Sequence, residues 1–339
     1  TVNIQVEEYK RPKFFVEFQE SNEQLVLNQE ITIKGTAKSF AGTVVQNAEV
    51  KFHIVRKPAF RPWFYRFNSP ETEIANGLVQ TDETGNFDFT FKAIPDYNIP
   101  VNKNLQFNYF ITADVTDLNG ETQSTQKNLQ IGFHGFEIQT DLQEVHEKDQ
   151  LKSIALLIIN AENKEVSTKG EAKIYALKIP EETTISKYWK NTDTSIYSLN
   201  DWNEKLEYYA YQDEDDLSKL PIERVILDQE FNTAKSKEIV LSNELNPGIY
   251  KLEISANDSF NNPVHYEKLY TVFDKNSKKL SFPKIDWFVI NQKEAKPGDE
   301  IEFYIGSTEE MRYILQIEKD NAIIDQKIIE LDDEQRRLV

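Results

Sequence analysis

Tyr109-Phe110-Ile111-Thr112-Ala113-Asp114-Val115-Thr116-Asp117 alternates apolar with polar side chains and runs into a turn, after which Leu129 and Ile131 mark the next strand-like run. Tyr250-Lys251-Leu252-Glu253-Ile254-Ser255-Ala256-Asn257-Asp258 repeats the pattern, and Tyr270 and Val272 follow at the spacings of Leu129 and Ile131. Period-two alternation puts one set of side chains on a core face, and a polar turn between two such runs reads as a hairpin. Two matching hairpins in one chain are the last two strands of two related domains, and a repeat of this kind fixes architecture before any motif does. Tyr109, Ile111, Ala113, Val115, Tyr250, Leu252, Ile254 and Ala256 are therefore expected to point inward.

The domain starts match more loosely. Phe14-Phe15-Val16 precedes Asn28-Gln29-Glu30-Ile31, Phe136-Glu137-Ile138 precedes Asp149-Gln150-Leu151, and Trp287-Phe288-Val289 precedes Gly298-Asp299-Glu300-Ile301. Further alternation at Val2-Ile4-Val6, Ile31-Ile33, Val50-Phe52-Ile54, Phe87-Phe89-Phe91, Ile239-Leu241 and Ile301-Phe303-Ile305, with turn residues between, makes the chain mainly β. Short strands and closing hairpins at domain-length spacing indicate an all-β chain of tandem immunoglobulin-like antiparallel β-sandwiches. The expected organisation is residues 1–13 as the last strand of a preceding domain and a junction, 14–133 as one sandwich and 134–274 as a second. Residues 282–339 form an incomplete third domain of about four strands, so the chain reads as a piece of something longer. The second sandwich carries a partly helical insert over 179–223, where Leu199, Trp202, Leu206 and Tyr209 fall at helical spacing. A smaller excursion, Lys57 to Asn76, holds Pro58, Pro62 and Pro70, a density that excludes a central strand.

With 339 residues the chain is long enough for two or three domains. Its 39% hydrophobic content, with 21 Phe and 15 Tyr, supplies the cores that a disordered chain lacks. The formal net charge of −18 repels phosphate backbones and anionic headgroups, which argues against nucleic acid as a partner and against membrane contact. The absence of cysteine removes disulfides, thiolate metal sites and a cysteine nucleophile.

No constellation of catalysis is found, and the chain is expected to be no enzyme and to hold no cofactor or metal. His146-Glu147-Lys148-Asp149-Gln150 opens like a zincin helix, but that chemistry needs a second imidazole where Gln150 stands. His53, His134 and His265 are scattered singly. Gly-x-Ser-x-Gly, P-loop and dinucleotide fingerprints are missing. Asp213-Glu214-Asp215-Asp216 is the densest acidic run, read as a solvated and loose part of the insert because four adjacent carboxylates repel one another; Asp117-Leu118-Asn119-Gly120-Glu121 has calcium-like oxygens but reads as a hairpin turn. Trp63, with Phe64 and Tyr65, and Trp189 and Trp202 are the residues that would stack on a ligand such as a sugar, unless each plugs the end of a sandwich.

At Val6-Glu7-Glu8-Tyr9-Lys10-Arg11-Pro12-Lys13-Phe14 the chain resembles the junction between macroglobulin-like domains of bacterial alpha-2-macroglobulin family proteins. The likeness continues through Gly35-Thr36-Ala37-Lys38-Ser39-Phe40-Ala41-Gly42, Asn47-Ala48-Glu49-Val50, Thr81-Asp82-Glu83-Thr84-Gly85-Asn86-Phe87 and Val115 to Glu121, then Pro247-Gly248-Ile249-Tyr250 and Lys296-Pro297-Gly298-Asp299-Glu300. The resemblance implies macroglobulin-like sandwiches from a large exported proteinase trap of the cell envelope, periplasmic or outer-surface, with a lipid-anchored parent. In the family a bait segment is cleaved by the attacker, and a Cys-Gly-Glu-Gln thioester, where present, lies much further along. This stretch has no Cys and would be scaffold: a monomer by itself, meeting proteinases only through its full-length parent. An immunoglobulin-like surface adhesin or glycan-binding module is the alternative.

Overall fold

The computed structural model describes residues 12–58, 71–99, 105–185, 189, 197–206, 208–242, 244–290, 294–296 and 298–339. The strand expected at Val2 to Val6, most of the junction motif, Trp63 with its neighbours, and Tyr188 lie outside the described residues.

Seven strands make the first sandwich: β1 (Phe14–Phe18), β2 (Glu30–Ser39), β3 (Glu49–Pro58), β4 (Thr72–Gln80), β5 (Asn86–Lys92), β6 (Gln106–Thr116) and β7 (Thr122–Gly132). One sheet has the order β1-β2-β5 and the other β4-β3-β6-β7, the two-sheet arrangement of an immunoglobulin-like domain. Alternation does what the sequence implies: Phe87, Phe89 and Phe91 of β5 are buried opposite Phe52, Ile54, Tyr109, Ile111 and Val115 of the second sheet, with Phe52 and Phe89 stacked at 4.1 Å between ring centroids. The excursion expected over 57–76 is shorter, because β3 runs on to Pro58 and β4 begins at Thr72.

The second sandwich consists of β8 (Glu137–Thr140), β9 (Val145–Glu147), β10 (Ser153–Ile159), β11 (Lys169–Leu177), β12 (Ile222–Asn232), β13 (Glu238–Val240), β14 (Gly248–Asn257) and β15 (Pro263–Phe273). Its sheets, β13-β10-β8 and β12-β11-β14-β15-β9, repeat the first plan with one added strand, β9, parallel to β15. The quoted repeat falls on β6–β7 and on β14–β15, and all eight side chains expected to point inward are buried. Both excursions leave from the same connection, β3 to β4 in the first sandwich and β11 to β12 in the second. Replacing Ile111 or Ile254 by Val removes one buried methylene from equivalent sites, and each change is expected to lower stability by about 1 kcal/mol in urea unfolding. A loss at one site only would break the equivalence.

After Phe273 come β16 (Trp287–Ile290), β17 (Phe303–Ser307), β18 (Met311–Lys319), β19 (Ala322–Leu331) and β20 (Glu334–Leu338). Five strands thus stand where about four were expected. They form sheets β16-β17-β20 and β18-β19, matching β1-β2-β5 and β3-β4. By contacts the chain forms two compact units, one of residues 1–139 with 157–168 and 256–264, the other of 140–156, 169–255 and 265–339.

Four of the turns follow one rule. Asp82, Asp117, Asn160 and Asp258 each accept the amides two and four residues on, and the residue three on has positive φ: Gly85, Gly120, Asn163 and Asn261. This is a type I turn closed by a left-handed residue, which at Asp117 and Asp258 closes the β6–β7 and β14–β15 hairpins. Asn119 therefore keeps negative φ, and the Asn-Gly pair does not form a two-residue turn.

Side-chain donation from Thr84 to Asp82 and from Asn119 to Asp117, with the turn amides, holds both carboxyls below their usual range. Burial opposes ionisation of Asp258, yet donation from Asn262, Gly135 and Phe260 outweighs it, and this carboxyl too is lowered. A carboxylate lowered in the folded state adds stability above its unfolded pKa, and that stability is lost as pH falls through the folded value. Urea midpoints are accordingly expected to be flat above about pH 5 and to drop below about pH 4. Asp258→Asn should flatten that drop; an unchanged slope would remove Asp258 from the account.

Candidate functional site

The insert is anchored at its base, where the Lys178 amide donates to the Pro221 carbonyl at 2.8 Å. Ile185 and Tyr209 form a parallel bridge. Between them runs α1 (Leu199–Lys205), whose N-cap Ser198 accepts from the Asp201 amide and donates to its carboxylate. Ser198-x-x-Asp201 is a capping signal that hydrophobic spacing alone passed over. The helix is shorter than that spacing implies: Tyr209 lies beyond it, and no helical residue is buried.

Trp202 organises the insert. Its Nε1 donates to the Tyr209 carbonyl at 2.6 Å. Trp189, Tyr197 and Tyr211 surround its ring at 6.5, 6.4 and 5.6 Å, and Trp189 lies 5.1 Å from Tyr209. Lys205 sits over Tyr197 at 5.0 Å. Trp189 remains 45% exposed. The two tryptophans thus build a cluster within the insert and present part of an indole to solvent, a geometry suited to stacking on a sugar ring or another flat apolar group.

The acidic run, expected to be loose from its repulsion, is met by a lysine counter-charge. Lys219 reaches Asp213 at 2.6 Å and Asp216 at 3.8 Å, and Asp216 caps the short 3-10 turn Leu217–Lys219 through the Ser218 amide and hydroxyl. Those Ser218 donors, with Lys219, hold the Asp216 carboxyl below its usual value.

The histidines stay apart. His146 lies on β9, not on a helix, and its Nε2 accepts the Gln143 amide at 2.9 Å. Burial pushes the imidazole below its ordinary pKa. His53 pairs with Glu73 at 2.9 Å on an exposed face. Among the described residues no group of three His, Cys, Asp or Glu could hold a metal ion. No helix of the described residues is long and apolar enough to cross a membrane.

No protein-family model matches the sequence, and no curated protein matches it. Solved structures do. The native Escherichia coli alpha-2-macroglobulin is similar at TM-score 0.33 and 9% identity, over 98% of this chain and 21% of that one. The trypsin-activated form of the Escherichia coli protein gives TM-score 0.38 and 9% identity, over 97% and 22%. A tetra-tandem repeat from the extending region of a large adhesion protein gives 0.22 and 10%, over 96% and 65%. The chain spans about a fifth of the length of these macroglobulins. The sheet order, and not these likenesses, carries the fold.

Proposed function

We propose that the chain is a scaffold segment of a bacterial alpha-2-macroglobulin-like proteinase trap of the cell envelope. What supports this reading is where the family-like motifs sit on the strands. Asn47-Ala48-Glu49-Val50 leads into β3, Thr81 to Phe87 turns into β5, Val115 to Glu121 joins β6 to β7, and Pro247-Gly248-Ile249-Tyr250 opens β14. Three lie at successive connections of the first sandwich and the fourth at the start of a strand of the second, in the order of the resemblance. In this reading the sandwiches transmit the rearrangement that follows bait cleavage, perform no catalysis, and bind no proteinase covalently, since acyl transfer from a thioester needs a thiol leaving group and the chain has no Cys.

The test incubates the full-length parent, and separately this chain, with trypsin-like and elastase-like proteinases, then assays a large protein substrate and a small peptide. A trap protects the large substrate and leaves the small one accessible, whereas the isolated chain leaves both open to cleavage. A parent that protects neither sinks the proposal. The half-exposed Trp189 beside Trp202 favours a second reading, a glycan-binding surface module. There Trp189→Ala should abolish retention on a glycan array that the unaltered chain binds.

A further inference from the structure

Both ends of the insert line a cavity of about 650 Å³ that lies wholly within the second unit. Pro180, Glu182 and Ile185 come from one end and Glu214, Asp215 and Leu217 from the other. The apolar part of the wall is Ile249 of β14, Leu269 and Tyr270 of β15, Phe282, and Trp287 of β16. Trp287 and Tyr304 pack with Ile249 and Phe273, whereas Ile305, next to Tyr304 on β17, packs with Ile329 and Leu331. Successive strand residues face opposite ways, so Trp287 stands on the face of β16-β17-β20 turned away from that smaller core. Ligand sites occupy roughly 300–1,000 Å³ and are mostly apolar with a few placed polar groups, as this cavity is.

Its charge is one-sided. Glu144, Glu182, Glu214, Asp215 and Asp286 line the cavity against Lys284, which already pairs with Asp286 at 3.2 Å. Among the described residues Glu144, Glu182 and Asp215 make no ion pair, and Lys219 is taken by Asp213 and Asp216. Carboxylates gathered on a low-dielectric wall focus a negative potential that draws in cations. Two polar side chains of the wall are also unmet. The Tyr270 hydroxyl and the Trp287 indole nitrogen, on residues 2% and 4% exposed, have no hydrogen-bond partner among the described residues. Buried polar groups are ordinarily bonded, and on a cavity wall the missing partner is one that a ligand can supply.

We propose that this cavity binds a short basic peptide segment. Its ammonium or guanidinium groups meet the carboxylates of Glu144, Glu182 and Asp215, and an apolar side chain lies against Ile249, Leu269 and Phe282. A backbone carbonyl of the peptide accepts from Trp287 Nε1, and a backbone amide donates to the Tyr270 hydroxyl. A linear polyamine answers the carboxylates but offers the Trp287 N–H no acceptor. A basic peptide carries both the cations and the acceptor, so it is the class that satisfies the whole wall. Trp189 and Trp202 do not line the cavity, and its occupant is independent of the trap reading.

Titration calorimetry of the whole chain tests this with an amidated lysine–leucine–lysine tripeptide, an amidated glutamate–leucine–glutamate tripeptide, and spermidine. The basic tripeptide is expected to bind with a Kd of about 10–500 µM, and the acidic one not at all. Glu182→Gln with Asp215→Asn changes two side chains outside the core and should weaken the basic tripeptide about tenfold. Trp287→Phe keeps a ring and removes the N–H, and should weaken the tripeptide about fivefold. Spermidine, which meets the carboxylates alone, should bind more weakly than the tripeptide and be unaffected by Trp287→Phe, whereas misfolding of that variant would abolish both. No binding of the basic tripeptide overturns the proposal, as does equal binding of the acidic one. Tripeptide binding that the double change leaves intact lies elsewhere on the chain and overturns it too. Spermidine bound as tightly as the tripeptide, with Trp287→Phe affecting neither, overturns it in favour of a polyamine.

Discussion

Asp96→Ala is expected to destabilise the first sandwich by about 3–5 kcal/mol. Arg56 and Asp96 approach to 3.4 Å with each side chain 8% exposed. The guanidinium also donates to the Ile94 carbonyl at 2.8 Å and lies 5.5 Å above the Phe107 ring. The Tyr109 hydroxyl donates to the same carbonyl at 2.9 Å. Removing the carboxylate leaves a guanidinium packed on Phe107 without its counter-ion. Replacing both partners, Arg56→Met with Asp96→Leu, removes the charge together with its desolvation cost and should recover most of the loss. Hydrogen exchange at the Ile54 and Ile111 amides, which sit opposite each other on β3 and β6, reads the local stability. A loss under about 1 kcal/mol for Asp96→Ala would show water reaching the guanidinium and refute the buried pair.

Gly35→Ala should cost about 3 kcal/mol although it adds one methyl group. Gly35 faces Phe87 across β2–β5, and a Cβ there would stand 2.2 Å from Phe87 Cζ. The ring has little room to yield, since Phe18 packs at 6.1 Å and Phe89 at 6.4 Å. The same device recurs: Gly77 lies under Phe52 and Gly170 under Phe231, each glycine covered by its cross-strand phenylalanine. Phe87→Leu alone is destabilising, but in the Gly35→Ala background its added cost should be much smaller, because the two groups compete for one space. Gly42→Ala makes the contrast. Nothing lies within 4 Å of that position and φ is +86°, so its cost, about 1 kcal/mol, is backbone strain alone. Strict additivity of Gly35→Ala and Phe87→Leu would mean the ring is not the obstacle.

The two glycines separate what is local from what is not. The turn at Gly42 is written within a few residues, in the Ser39 hydroxyl that accepts the Thr43 amide and the positive φ at Gly42. The demand on Gly35 comes from a side chain in another strand, and nothing in residues 30 to 39 announces it. The insert divides in the same way. Ser198 and Asp201 announce the start of α1 from neighbouring positions, whereas the contact between Trp189 and Trp202 depends on how the chain returns past the helix.

The sequence by itself determined the alternation that builds the sheets, the Asx-led turns at Asp82, Asp117, Asn160 and Asp258, and the repetition of one hairpin in two sandwiches. Period-two burial and hydrogen bonds two and four residues on act over short stretches of chain, so they can be read along it. Tertiary structure alone decided that Lys219 neutralises Asp213 and Asp216, that Arg56 is buried against Asp96, and that β9 pairs parallel to β15. Each of these depends on which groups meet in space, where a counter-charge, an excluded water or a neighbouring strand changes the energy of a residue whose sequence surroundings stay the same.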